Sequence, residues 1–549
     1  MSEAGRDRVW LTRLAGGERL YSDVRHIYGP LSPWLHAALF RAFGPSLTIL
    51  YGDGILCAVA ILAVVYWLGR QVMSPAAAAT ATLSVMWLCV FKPAGNYILP
   101  YSYNALHGTV LGLVTLAILT SALTISRDPR VRIRFFLAGC LAGLAMLAKT
   151  EMGLGALTAG VGAAVLAAHP DRRRVLTLAI LFLAPAACLT IAVYTIIAWR
   201  VGWSTLVSDS WLLAYNLPPE LARYQAGISG FDEPLRSLSR MLIAAVKLAI
   251  VAAVVGAVAS ATAGAPAGRS RAWYALAAAI AAAVVLSVTT GLDWDRGPYL
   301  AMPFLLVGVL TMRPTPIVTL YAIYAVATLA RVILHVRSGG AYGSFLLPVS
   351  VIVFTYLWVG PFADRFGEAP VRRAVRAMAL ALLFVVAVAS AGILAWRYRM
   401  LNTVGMATAR GTMMAPPDVG QAWNEALAYI DVHTRVGDAV AVMPEGTSLD
   451  FLSGRRNPLR EEITTPGYLD AAGEARAIRQ LRDAQTGLIL IANRPTREFG
   501  AAAFGRDYCQ QLMRWIEIHY APCAIFGPVK DPRLQIGDRP FFIRAYCRR

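Results

Sequence analysis

Within the fifteen residues Gly17–Leu31, G-E-R-L-Y-S-D-V-R-H-I-Y-G-P-L, two carboxylates (Glu18 and Asp23) stand beside Arg25, His26 and Tyr28. A carboxylate can accept the proton of an attacking hydroxyl, orient that hydroxyl or hold a metal ion, and cations can stabilise a departing phosphate. Asp23 is therefore the candidate catalytic residue, and Arg25, His26 and Tyr28 are candidate ligands for a phosphorylated lipid. The simpler role for Asp23 is a cap or a solvated loop acid. Glu18 is near enough for a diffuse acidic pair and reads as solvated.

Further candidates are charges set inside or beside apolar stretches, where they are costly and are generally paired or functional. In Ala148–Gly153, A-K-T-E-M-G, Lys149 and Glu151 lie two apart and would not share a face of a continuous helix. At a helix break they can converge on one pocket, or neutralise each other at a tight turn. Arg331 and His335 are one helical turn apart, with Arg337, Gly339 and Gly340 beyond. They can hold a phosphate or simply snorkel at a helix end. Asn96–Asn104, N-Y-I-L-P-Y-S-Y-N, supplies Tyr101 and other rings suited to a sugar or a polyprenyl chain, and equally to an interface belt. Asp53, His107, Lys247 and Arg331 all fall toward one end of their apolar segments, and Asp293, Asp295 and Arg296 form a short loop at that level. Converging, they would line a cavity opening on that side.

The elements that must position these residues are membrane helices. Of the 549 residues 57% are hydrophobic and only 15% charged, whereas soluble domains are nearer a quarter charged. Runs long enough to cross a hydrocarbon layer of roughly 30 Å lie at 47–69, 75–91, 104–125, 133–149, 151–168, 174–199, 241–264, 273–290, 299–312, 314–333, 345–362 and 377–396. The net charge of +19 is not a nucleic-acid surface, because the arginines cluster in alternate loops. The clusters are Arg127, Arg130, Arg132 and Arg134; Arg172–Arg174; Arg269 and Arg271; and Arg365, Arg372, Arg373 and Arg376. The positive-inside rule makes those loops cytoplasmic. Residues 92–103, 200–240, 291–298, 334–344 and everything after 397 then lie outside.

The chain divides by composition into a pre-membrane segment (1–46), a membrane part (47–396) and a tail (397–549). In the first, Trp34–Phe43 has the spacing of an amphipathic surface helix. The 200–240 loop is long and carries Trp203, Trp211 and Tyr215. The tail holds 16 of the 32 acids. Its apolar runs Asp438–Met443 and Thr486–Ala492 predict buried strands, and Gln421–Val432, Ala472–Ala484 and Arg506–Tyr520 predict amphipathic helices. Alternating strands and helices imply an α/β domain. Cys57, Cys89, Cys140 and Cys188 lie in apolar segments and should pack as small hydrophobes. Among Cys509, Cys523 and Cys547 one disulfide is expected, leaving one thiol over.

The Gly17–Leu31 segment, followed by S-P-W-L-H-A-A-L-F-R-A-F-G (32–44), resembles the first external loop of the bacterial GT-C membrane glycosyltransferases, such as the aminoarabinose, mannosyl and galacturonosyl transferases. The A-K-T-E-M-G stretch, residues 96–104 and Phe451–Pro458 after Pro444-Glu445-Gly446 are similar to further segments of these enzymes. The resemblance implies an all-α polytopic membrane protein of about twelve transmembrane helices with an external C-terminal α/β domain. It implies transfer of a sugar from a polyprenyl-phosphate donor to a lipid, glycan or protein acceptor, with inversion, on the periplasmic face of a bacterial inner membrane. Asp23 would then act as base, Arg25, Lys149 and Arg331 as phosphate ligands, and His26, Tyr28, Tyr101, Glu151 and His335 as further substrate contacts.

No certain cofactor is implied. A divalent metal is compatible, although the two adjacent acids of some relatives are absent around Asp23. Those enzymes normally carry a transmembrane helix just before this loop, so the expectation is that a natural first helix precedes Met1. A multi-span transporter or flippase of an envelope lipid or glycan is the alternative, and a non-catalytic scaffold the third. Transporters usually show repeats and broken midplane helices, which this sequence does not.

Overall fold

The computed structural model describes residues 9–92, 95–209, 217–262, 277, 297–312, 314–336 and 343–549. The expected span at 273–290, the loop with Asp293, Asp295 and Arg296, and Trp211, Tyr215, Arg269, Arg271, Arg337, Gly339 and Gly340 lie outside the described residues. The pre-membrane segment forms α1 (Val9–Ala15) and α2 (Leu31–Phe43). The bundle follows with α3 (Leu47–Arg70), α4 (Pro75–Val85), α5 (Tyr103–Thr124), α6 (Arg130–Ala148), α7 (Thr150–Ala168) and α8 (Arg172–Val201). Next come α9 (Trp203–Asp209), α10 (Pro219–Ser229) and α11 (Pro234–Thr262).

Seven helices among the described residues are long and apolar enough to cross a membrane: α3, α5, α6, α7, α8, the segment containing α11, and Ala369–Leu401. Three shorter apolar helices, Pro75–Val90, Met302–Thr311 and Pro316–Val332, occupy the expected spans at 75–91, 299–312 and 314–333. The expected span at 345–362 is Gly343–Leu346, Pro348–Leu357 and a π-helical turn, Trp358–Phe362. Pro348 opens its second piece and Pro361 sits in its last, each removing a backbone donor. Of the twelve expected spans, seven are helices of crossing length, three are shorter apolar helices, one is this broken segment and one lies outside the described residues.

Local chemistry sets the helix starts. Ser46, Ser74 and Ser102 accept the amides of Ile49, Ala77 and Ala105, and Asp171 accepts those of Arg173 and Arg174, satisfying donors that a first turn leaves open. α5 is central, packed against α3, α6 and α7. Its 22 residues span about 33 Å, so its two ends define two sides. At the Thr124 end, Arg134 and Arg174 donate to the carbonyls of Ser121 and Ser126, which gathers two of the arginine clusters there. Cys57 and Cys89 are buried as expected, whereas Cys188 is exposed on α8 among Ile180, Leu183 and Ile191, a face suited to lipid.

The other end carries the tail. A hairpin of β1 (Val404–Thr408) and β2 (Gly411–Ala415) turns at Arg410, whose carbonyl accepts the Leu47 amide at 2.7 Å. Beyond it lie β3 (Val440–Met443), β4 (Leu488–Ala492), β5 (Tyr520–Phe526) and β6 (Ile543–Arg548) in the order β3-β4-β6-β5. The β3/β4 pair is parallel and the other two are antiparallel. Helices Pro417–His433, Ala471–Asp483 and Gln510–His519 accompany this sheet. Cys523 and Cys547 form a disulfide across β5 and β6, and Cys509 is a buried free thiol.

Candidate functional site

The 17–31 loop lies between bundle and tail and is fixed from both sides. Arg13 is the first anchor: it pairs with Glu18 at 2.6 Å and donates to the carbonyls of Leu459 and Asp23. Glu18 also meets Arg456 at 3.1 Å, so it is an ion-pair anchor and not a solvated acid. Arg460 is the second anchor: it donates to the carbonyls of Tyr21 and Ser22 and pairs with Asp209 on α9. Arg25 donates to the Tyr468 carbonyl at 2.7 Å and faces Asp209 at 3.5 Å. Tyr21 takes a left-handed φ of 70°, an uncommon conformation for a bulky residue, and its hydroxyl donates to the Tyr28 carbonyl at 2.6 Å.

Asp23 closes a tight turn of this loop. Its carboxylate accepts the Arg19 amide (2.8 Å) and the Ser22 hydroxyl (2.6 Å), and the Arg19 guanidinium stands at 3.6 Å. Partial burial favours the neutral acid. The Ser22 and Arg19 hydrogen bonds and the Arg19 charge outweigh it and hold the carboxyl below its ordinary value. Asp23 is thus an ionised carboxylate, 35% exposed, turned toward its own turn. Arg25, His26 and Tyr28 instead line a small cavity of about 40 Å³ with Trp10, Glu461, Glu462 and Tyr468. The His26 ring lies 4.7 Å from Trp10 and 5.8 Å from Tyr28.

Lys149 forms the break between α6 and α7. Its backbone is extended (φ −155°, ψ 123°), ending one helix and starting the next. The loop seats directly on this break: a Cβ at Gly29 would lie 2.0 Å from the Leu147 carbonyl oxygen, so only glycine permits the approach. Asn104 completes the junction, its amide donating to the carbonyls of Gly29 (2.8 Å) and Ala148 (2.9 Å). As a result the Lys149 ammonium, almost wholly buried, stands 4.4 Å from the Tyr28 ring centre and 5.8 Å from that of Tyr101. Such cation–π contacts strengthen when desolvated.

Two residues beyond, Glu151 pairs with Arg331, which also donates to Gln225 of α10 at 2.8 Å. His335 donates to the Gly227 carbonyl at 3.3 Å. Lys149, Glu151, Arg331, Tyr28 and Tyr101 therefore gather at one junction, His335 flanks it through its bond to Gly227 of α10, and Asp23 lies in the adjoining turn. Such a junction presents buried positive charge beside aromatic rings, chemistry that suits a phosphate bearing an apolar chain.

A second cluster lies under α2. His36 of α2 and His107 of α5 each place Nε2 at 2.9 Å from the same oxygen, Asp53 Oδ2 of α3. Among the described residues this is the group with metal-ligand geometry, its ligating atoms all within 4.8 Å of one another. It is separate from the turn that holds Asp23.

Sequence reasoning missed Trp10, which shortly precedes the loop without a motif, and Asp209, Arg460, Glu461, Glu462 and Tyr468, which lie far from it in sequence. The two consecutive acids at 461–462, beside the tail segment already singled out, were the available signal. A larger crevice of about 450 Å³ opens at the carboxyl ends of β3 and β4, between Trp423, Glu445, Arg494 and Phe541.

No protein-family model and no curated protein matches the chain. Solved structures do. The Archaeoglobus fulgidus oligosaccharyltransferase in complex with Zn and sulfate is similar over 96% of this chain and 68% of its own, at a TM-score of 0.50 and 16% identity. AglB from Archaeoglobus fulgidus, in complex with an inhibitory peptide and a dolichol-phosphate, is similar at 0.48 and 13%, covering 97% and 71%. ArnT from Cupriavidus metallidurans, bound to undecaprenyl phosphate, is similar at 0.47 and 11%, covering 99% and 93%. The first likeness shows the fold: the chain is a polytopic membrane protein with a small C-terminal sheet domain, folded like that oligosaccharyltransferase.

Proposed function

We propose that this chain is an integral-membrane glycosyltransferase that moves a sugar from a polyprenyl-phosphate donor to a lipid, glycan or protein acceptor. The observation that carries the reading is Lys149, a buried ammonium at a helix break beneath Tyr28 and Tyr101 and two residues from the Glu151–Arg331 pair. In the transfer, the acceptor oxygen bonds to the anomeric carbon as the bond from that carbon to the donor phosphate breaks. The electron pair leaves on the phosphate oxygen, where Lys149, with Arg331 and Arg25 nearby, stabilises the charge. The hydroxyl proton passes to Asp23 or to water, and direct displacement inverts the anomeric centre. A carboxylate already held below its ordinary value is a weak base, which suits Asp23 to orienting the hydroxyl and taking its proton late. If the enzyme carries a divalent metal, His36, Asp53 and His107 are the residues that would hold it.

The arginine-rich end supports a cytoplasmic placement by the positive-inside rule. The tail end would then face the periplasm of a bacterial inner membrane, in keeping with the Cys523–Cys547 disulfide. On this reading 1–46 is an external pre-membrane loop, 47–396 the membrane domain and 397–549 an external domain. The test is the purified full-length protein in lipid discs with radiolabelled polyprenyl-phosphate sugars and an envelope-lipid and glycan acceptor mixture. Label should move to an acceptor with wild type and not with Lys149→Gln. Absence of transfer from every donor, together with movement of labelled lipid across vesicle leaflets, would establish the transporter reading instead.

A further inference from the structure

His36, Asp53 and His107 belong to three different helices, yet both imidazoles reach one carboxylate oxygen in a place that water scarcely enters. The side chains are 1%, 10% and 8% exposed. One turn along α3, Cys57 brings Sγ to 3.9 Å from the other oxygen, Asp53 Oδ1, the i,i+4 relation that puts both on one helix face. Cys57 therefore faces away from the oxygen that both imidazoles share. We propose that His36, Asp53 and His107 bind one zinc ion, a structural site that pins α2, and with it the 17–31 loop, to α3 and α5.

The donor set fits zinc, which takes imidazole nitrogen and carboxylate oxygen in tetrahedral geometry. Bonds of about 2.0–2.1 Å to nitrogen and oxygen at tetrahedral angles set ligand atoms about 3.3 Å apart. The 2.9 Å contacts to Asp53 Oδ2 therefore need to open by only a few tenths of an ångström. The surroundings prepare the ligands. His107 Nδ1 lies 2.8 Å from Ser32 Oγ, a partner that can accept an Nδ1 proton once a metal replaces the Nε2–H that faces Asp53 Oδ2. The His36 ring abuts Tyr103 edge-on at 4.4 Å, holding its orientation.

Charge argues the same way. The Asp53 carboxylate offsets one of the two charges of the ion in an apolar interior, where an uncompensated ion is costly. No step of the transfer passes through this ion, and the proposal stands or falls apart from the transferase reading, because its test counts metal and not turnover.

The experiment uses the full-length protein purified without a histidine tag and dialysed against a weak chelator, with metal counted by inductively coupled plasma mass spectrometry. About one zinc per chain is expected in wild type, falling several-fold in His36→Ala and Asp53→Asn. Because those variants can fail to fold, wild type is also stripped and titrated with cobalt. Cobalt d–d bands at one ion per chain, unchanged in Cys57→Ser, are expected. Folded wild type that retains no zinc and takes up neither zinc nor cobalt overturns the site and leaves a hydrogen-bonded trio.

Discussion

Asn104 holds Gly29 against the bundle: its amide donates to the Gly29 carbonyl at 2.8 Å while the same nitrogen reaches Ala148 at 2.9 Å. The residue before Gly29 is Tyr28 and the residue after Ala148 is Lys149, so one side chain sets the distance between ring and ammonium. Asn104→Ala leaves two buried carbonyls without that donor and should destabilise by about 1–3 kcal/mol, read as a lower midpoint in thermal unfolding. Its donor KM should rise. Gly29→Ala should fold with unchanged helicity and lose transfer, because the new Cβ meets the backbone at Leu147 and the loop must lift.

Lys149→Gln removes the buried charge at nearly the same length. A preorganised donor to a leaving oxyanion is typically worth about 10²–10³-fold in turnover, and a loss of that order is expected. A lysine that only fills space beneath Tyr28 and Tyr101 would leave kcat within about threefold while shifting stability, since cation–π contacts contribute on the order of 1–2 kcal/mol. The kcat and thermal midpoint of the same preparation separate the two roles.

How much of this was legible in the sequence differs between strands, breaks and clusters. Val440–Met443 and Leu488–Ala492 announce themselves because both faces are buried and every position is apolar. β5 and β6 did not, since β5 is half-exposed, contains Pro522 and finds its register only against β6. Lys149 was visible as a charge between two apolar runs, and its nearness to Glu151 and Arg331 follows from a break that one residue encodes. The His36–Asp53–His107 cluster was not assembled. Asp53 and His107 stand out separately as polar residues in apolar runs, whereas His36 belongs to the amphipathic pattern of Trp34–Phe43, and no spacing links three positions joined only by tertiary packing. Arg460 and Asp209 illustrate the same limit, being 251 positions apart.

Sidedness follows from the two ends of α5. Reporter fusions or thiol labelling at introduced cysteines should place positions 130 and 172 in the cytoplasm and position 420 outside. A cytoplasmic position 420 would reverse the face on which transfer takes place, and the positive-inside argument with it.

Asp450 gives a stability signature of its own. It is buried in the tail, accepting from Asn457 at 2.9 Å. Burial drives its pKa well above the ordinary 3.8, against the smaller opposing pulls of Asn457 and Arg13. A raised folded-state pKa contributes stability that is complete below the unfolded value and is lost as pH rises through the folded one. Wild type should therefore lose stability, relative to Asp450→Asn, as pH climbs above about 4. The two unfolding midpoints should diverge in favour of the variant toward alkaline pH. Parallel curves would mean that Asp450 titrates no differently folded than unfolded.

Asp23→Asn keeps size and shape while removing charge and basicity. If Asp23 orients the acceptor and takes its proton, turnover should fall at least about a hundredfold, since general-base help is typically worth 10²–10⁴, with expression and insertion unchanged. A residue that only closes the turn with Ser22 and Arg19 would cost about 1 kcal/mol of stability and leave turnover nearly intact. Glu18→Gln is the comparison: it weakens the pairs with Arg13 and Arg456 and should lower the thermal midpoint while sparing kcat. The pH profile adds a second reading. Because the Ser22 hydroxyl helps hold Asp23 below its ordinary value, Ser22→Ala must raise that value, and the acidic limb of kcat/KM should move to higher pH by a measurable fraction of a unit. An Asp23→Asn enzyme retaining more than about a tenth of wild-type turnover, with an acidic limb that Ser22→Ala does not move, would remove Asp23 from the chemistry. The search for the base would then shift to Glu461 and Glu462, the carboxylates that border the cavity of Arg25, His26 and Tyr28.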